Sequence, residues 1–327
     1  MSATRLHVAL VLAVVVAGAL ALFTGTASLG DESLRATLLQ LRGARLLAAF
    51  LAGAALSVGG VAVQGLFRNP LASPSILGTT AGANLGGQIA LLTASAFSGA
   101  TAALTIEMVL PIGSLLGALV ALGILVMFLR AGADLLTLLL TGFILSSLFL
   151  SIGSFLTSMA QDSWELGRTM VAWSLGSVSG AGVRHVLFAL PLIIAGTVAI
   201  WGWGHALDVM LSGEEEAASL GVDVKATRRW VVVWVAVLTG AAVSVGGGVA
   251  FVGLIVPHAL RPIVGAEHRR LVPSAALLGG AFLIACDALG RAMPGRSEIP
   301  LGIVTGLIGA PLFLWLLLRM QREAYDG

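Results

Sequence analysis

The chain has 327 residues, of which 58% are hydrophobic and 10% charged, and its formal net charge is +2. A soluble domain carries about 25% charged residues, so this composition excludes one and indicates an integral membrane protein. A near-balanced charge also excludes a nucleic-acid binder, which needs a concentrated basic face.

The N-terminal stretch offers Arg5, an apolar run from Val8 to Phe23 and small residues from Gly25 to Ser28, the three parts of a signal peptide. The run is long for such a peptide and many apolar runs follow it, so it reads as the first transmembrane helix. Breaking the chain at charges, prolines and glycine clusters predicts about ten spans, near 7–24, 46–67, 70–93, 107–129, 135–158, 186–204, 230–248, 249–265, 271–290 and 299–319. The predicted fold is therefore all-α, a polytopic membrane protein with a single transmembrane domain over 1–327. With the N-terminus in the cytoplasm, about 11 of the 18 cations fall inside.

The spans repeat. GAALSVGG from Gly53 in span two returns as GAAVSVGG from Gly240 in span seven. Pro111, Leu115, Leu116 and Gly117 in span four are answered by Pro273, Leu277, Leu278 and Gly279 in span nine, and Thr141, Gly142 and Ile144 in span five by Thr305, Gly306 and Ile308 in span ten. All three pairs lie five spans apart. An odd offset turns the second copy over, which predicts an inverted-topology repeat of about 46–158 and 230–319, the architecture of alternating-access transporters. Prolines follow the paired spans at related places, Pro70 and Pro74 in one copy and Pro257 and Pro262 in the other. Helices broken in matching positions point to a substrate path.

Residues 205–229 form the longest polar interruption, holding Asp208, Glu214, Glu215, Glu216 and Asp223. Ser212 with Glu215 three positions later predicts a capping box, and Gly221 a left-handed stop. A short, rigid cytoplasmic docking helix is expected there. Cys286 stands alone in an apolar run and reads as a small buried hydrophobe.

The sequence also restricts the energy source. A P-loop needs Gly-Lys-Ser/Thr, but the one lysine, Lys225, lies between Val224 and Ala226. Ion-driven carriers bury carboxylates inside their spans; here Glu107, Asp134 and Asp287 all fall near span ends. An ATPase on a separate chain is the expected motor, and an ion-driven secondary carrier the alternative from another class.

Four ordered stretches carry a resemblance: QGLFRNPLASPSILG from Gln64, SGEEEAASLG from Ser212, GLIVPHALRP from Gly253 and EIPLGIVTGLIGAPLFLWLL from Glu298. With them the chain resembles the permease subunit of type II ABC importers, the family for haem, ferric siderophores and cobalamin. Two positions depart from the family pattern. Gly43 and Ala44 stand between Arg42 and Arg45 where Leu-Pro is common, and Glu216 replaces a small residue.

The resemblance implies a homodimer in the bacterial inner membrane, in contact with lipid, with two ATP-binding cassette subunits below and a periplasmic substrate-binding protein above. It implies coupling to the ATPase through Ser212, Gly213, Glu214, Glu215, Ala217, Leu220 and Gly221, and docking of the binding protein on Arg42, Arg45 and Arg291. Thr141, Ser146 and Ser147 are the expected pathway residues. No catalytic residue, cofactor or resident metal is expected, His258 reading as structural. The GLFRNPLA wording is similar to haem-importer permeases and favours haem as cargo, with a ferric siderophore or cobalamin as alternatives.

Overall fold

A computed structural model describes residues 3–23, 32–96, 102–293 and 298–325. In chain order the helices are α1 (Ala3–Phe23), α2 (Glu32–Leu66), α3 (Thr79–Ala96), α4 (Ala102–Arg130), α5 (Leu135–Ala160), α6 (Trp164–Ser174), α7 (Val183–Met210), α8 (Glu214–Ser219), α9 (Val224–Gly246), α10 (Val252–Val264), α11 (His268–Ala292) and α12 (Leu301–Tyr325). A 3-10 turn, Pro74–Leu77, leads into α3. Among the described residues there is no strand, as a bilayer-spanning chain with internally satisfied backbone requires.

Seven of these helices are long and apolar enough to cross a bilayer, and α10 and the first part of α12 are shorter apolar helices. Together with α3, which carries Asn84 and Gln88, they correspond to the ten predicted spans. The hydropathy reading passed over α6. WELGRTMVAWS is too short and too mixed to look like a span, yet it forms an 11-residue helix.

The core is built on α2 and α9, whose spanning windows are 83% and 72% buried; those of α1, α4, α5 and α7 are 22% to 28% buried. The outer helices turn side chains such as Val15, Val120, Phe143 and Ile194 outward.

Small residues let the central helices touch through their backbones. A Cβ on Gly53 of α2 would strike the carbonyl of Gly279 in α11, and one on Gly60 the carbonyl of Gly253 in α10. Gly240 of α9 meets side chains instead. A Cβ on Gly240 of α9 would come within 2.9 Å of Ala118 and 3.1 Å of Leu115 in α4, the neighbours of Gly117. Gly117 itself packs on Gly82 and Gly86 of α3.

The chain breaks after α2 and again after α9. After α2 the chain turns through Arg68, at φ 50°, then Pro70 and the 3-10 turn that opens on Pro74. After α9 the break is made by Gly247, at φ 63°, and Phe251, at φ 67°, while Pro257 and Pro262 lie inside α10. Of these three left-handed positions only Gly247 has the conformational freedom of glycine; Arg68 and Phe251 hold the same backbone without it.

Candidate functional site: two end surfaces and a cavity between helices

The polar interruption folds into α8 and its two turns. Ser212 is not the cap that the sequence predicts. Its N–H, with that of Gly213, still bonds back to Val209 and Met210 at the end of α7, so the turn to α8 falls one residue later, at Gly213 with φ 134°. The stop does match: Gly221 takes φ 87°, and the N–H of Val222 reaches the carbonyl of Ala217 at 3.0 Å.

The expected coupling residues separate into two groups. Ala217 is fully buried beneath α8, and Glu214 pairs with Arg228 of α9 at 2.5 Å. These two fasten α8 to the bundle, and Asp223 caps α9 by accepting the N–H of Ala226 at 2.9 Å. Glu215 and Leu220 point outward, and Leu220 is 67% exposed. The free face of α8 therefore carries the carboxylates of Glu215 and Glu216 beside an apolar side chain, a mixed surface suited to a protein partner.

At the opposite end of the bundle lies an ion cluster. Arg45 of α2 bonds Asp287 of α11 and Glu298 just before α12, each at 2.8 Å. Arg291 reaches the second oxygen of Asp287 at 3.1 Å and the carbonyl of Ala21 at 3.0 Å, and Arg42 bonds the carbonyl of Leu22 at 2.6 Å. Of the arginines expected to dock the binding protein, Arg45 and Arg291 have side chains only 17% and 7% exposed. A guanidinium at this depth needs a counter-charge, and Asp287 supplies it from within the chain. Arg168, Arg45 and Glu298 line the recess beside this cluster.

Between the ends, a cavity of about 420 Å³ opens among Ser75, Thr80, Asn84, Phe143, Ser146 and Gly248. An adjoining one of about 300 Å³ shares Asn84 and Ser174 and adds Gln88 and Thr157. Of the expected pathway residues, Ser146 is in the wall, while Thr141 and Ser147 are in neither wall. Ser146 and Ser147 also bond back to the carbonyls of Gly142 and Phe143, at 2.9 and 3.1 Å, a local bond that such hydroxyls often make.

The residues that the sequence reading missed are Thr80, Asn84 and Gln88. They recur every four positions, so α3 presents them on one face. Gln88 donates to Ser174 at 2.7 Å and to Thr157 at 3.3 Å, holding α6 against α3 and α5. Thr80 Oγ1 and Asn84 Oδ1 are buried without a protein partner. The four-residue spacing of polar groups in an apolar helix was the available signal.

The carboxylates considered for ion coupling have structural duties. Asp134 caps α5: its carboxylate accepts the Thr137 N–H at 2.9 Å, and hydrogen bonds from Thr137 hold its carboxyl below the usual range. Asp287 is held between two arginines, and the Glu107 side chain lies outside the described ones.

Spanning helices, a walled cavity between them and a fastened helix at one end define a transport permease. The FecCD transport family model matches residues 4–319. A cobalamin import permease of Halobacterium salinarum, BtuC, is 41% identical over 81% of this chain and 69% of its own length. The hemin transport permease HmuU of Yersinia pestis is 38% identical over 88% and 85%, and an ABC transporter permease of Bacillus subtilis, YvrB, 37% identical over 92% and 84%. Among solved structures, an inward-facing metal-chelate type ABC transporter superposes with a TM-score of 0.85 at 32% identity, covering 97% of this chain and 99% of that one. The chain belongs to the FecCD transport family and is the permease subunit of an ABC importer.

Proposed function

We propose that two copies of this chain form the transmembrane part of an ATP-driven importer that carries a metal chelate, with haem as the favoured cargo, into the bacterial cytoplasm by alternating access. The observation that carries the reading is the near-complete superposition on a metal-chelate transporter. Two ATP-binding cassette subunits sit against α8, and a periplasmic binding protein sits over the ion cluster. Residues 46–158 and 230–319 act as the inverted copies that rock against each other, and 205–229 is the coupling loop. The cavity walls offer hydroxyls, carboxamides and apolar side chains with no charged group. Such a wall lets an amphipathic chelate pass without holding it, and selectivity falls to the binding protein.

The cargo is tested by growth. An iron-starved host lacking its own importers, carrying this chain with its partner ATPase and binding protein, is offered haem or a ferric siderophore as sole iron source. Growth on haem alone is the expected result. Growth on the siderophore alone removes haem and keeps the mechanism, and cobalamin uptake by the same strain would do likewise.

The coupling surface is tested separately. Glu215→Lys with Leu220→Asp reverses the charge at 215 and removes the apolar side chain on the free face of α8, so copurification of the ATPase and uptake should both fall about tenfold or more, as for a central interface contact. Glu214→Gln should act instead through loosening of α8 from α9. Full uptake by the Glu215/Leu220 variant would mean that the ATPase docks elsewhere.

A further inference from the structure

Near the end of the bundle that carries α8, α7 and α11 are joined by contacts that neither the coupling surface nor the pathway uses. Asp208 lies two residues before the end of α7, and its Oδ1 accepts two bonds from the first residue of α11. One comes from the His268 backbone N–H at 3.0 Å and the other from the His268 ring Nδ1 at 2.5 Å. The N-cap of α11 is Glu267, whose side chain makes no capping bond. Asp208 therefore caps α11 from another helix, sixty residues away.

His268 is only 2% exposed. Its Nε2 has no protein partner and presses against Gly65 of α2, where a Cβ would collide with it. The same face of α7 adds two further contacts. Trp201 Nε1 donates to the Arg269 carbonyl at 3.0 Å, and the Arg269 guanidinium lies 5.5 Å from the Trp201 ring centre. Gly204 between them brings α7 close enough that a Cβ there would sit 3.2 Å from the His268 Cβ.

We propose that Asp208 is a positioning residue that makes the end of α7 and the start of α11 one rigid piece, so that displacement of α8 is passed along α11 to the ion cluster. The geometry supplies the path. Three residues separate α7 from α8, and a 25-residue α11 spans about 37 Å at 1.5 Å per residue. The far end of α11 carries Asp287 and Arg291, bonded to each other and, through Asp287, to Arg45 of α2. One continuous helix thus links the two surfaces on which partners act. A rigid element with discrete contacts at both ends is the kind of connection through which distant sites are coupled. This inference rests on the reading of α8 as the ATPase-coupling helix.

The test uses the assembled permease–ATPase complex with a spin label on Leu289→Cys, near the outer end of α11, in a Cys286→Ser background. The distance between the labels of the two protomers is measured before and after trapping with ATP and vanadate. The parent complex is expected to change distance. Asp208→Ala should lose that change while the ATPase still copurifies, and ATP-driven uptake should fall to less than about a fifth. Asp208→Asn keeps the accepting oxygen and should retain both, a rescue that a generally loosened bundle would not show. An unchanged shift in Asp208→Ala overturns the proposal alone. No shift in the parent, or no ATPase bound to it, overturns the coupling reading and this inference with it. Should Asp208→Ala fail to assemble, Trp201→Phe, which removes one bond of the same joint, is expected to reduce the shift, and an unaltered shift there overturns the proposal.

Discussion

Replacing Asp287 with alanine is expected to destabilise the bundle by about 3–5 kcal/mol, the cost of leaving a buried charge without its partner. Its carboxylate is 6% exposed and stands between Arg45 and Arg291, themselves largely buried. Without it two guanidinium groups face each other at that end of α11, and among the described residues Glu298, 50% exposed, remains to balance Arg45. Thermal unfolding of the purified protein measures the loss directly. Because the penalty arises from the stranded cations, Arg291→Leu added to Asp287→Ala should cost less than the two single changes summed, as for residues in one ion network. A variant within about 1 kcal/mol of the parent would mean that water reaches the cluster and solvates the arginines. Since Asp287 holds Arg45 in place, the variant should also disturb the recess lined by Arg45, Arg168 and Glu298, over which the proposed binding protein sits.

Gly53→Val should prevent formation of the compact bundle, with a cost of about 3 kcal/mol or more, at the upper end of overpacking penalties. A Cβ at this position meets the backbone carbonyl of Gly279, and the Leu283 Cβ lies within 2.9 Å. No rotamer change relieves a clash with backbone, so α2 and α11 must separate, and with them the helix that links the two end surfaces. The yield of monodisperse protein in detergent measures this. Gly43, in the same helix, has nothing within 4 Å of its would-be Cβ. Gly43→Ala is therefore expected to be neutral or to stabilise by up to about 1 kcal/mol through helix propensity. Equal behaviour of the two variants would rule out close backbone packing of α2 on α11.

Much of the protein was legible in the sequence because the bilayer imposes a local rule. Spans show as long apolar runs, so the all-α polytopic class and the ten candidate spans could be read by marking them, and the ordered motifs from Gln64 to the end of the chain carried the family. The glycine patterns at Gly53 and Gly240 pointed to paired spans, because close helix contact demands small residues wherever it occurs. Gly221 was readable for a similar reason: a left-handed backbone favours glycine whatever surrounds it.

Tertiary structure alone decided what each polar residue does. Arg45 looked like an exposed cation until its counter-charge, 242 residues away, was brought beside it. Asp208 looked like part of a polar docking loop and instead caps a helix sixty residues later. Glu214, Glu215 and Glu216 are alike in sequence, but only the first reaches Arg228, since successive residues of a helix face different ways. Helix α6 and the cavity face of α3 escaped for the opposite reason: one is shorter than a span, and the other spaces its polar groups too thinly to change a hydropathy average. A side chain's role in a membrane bundle depends on which distant helix lies opposite it, and hydropathy read along the chain does not contain that neighbour.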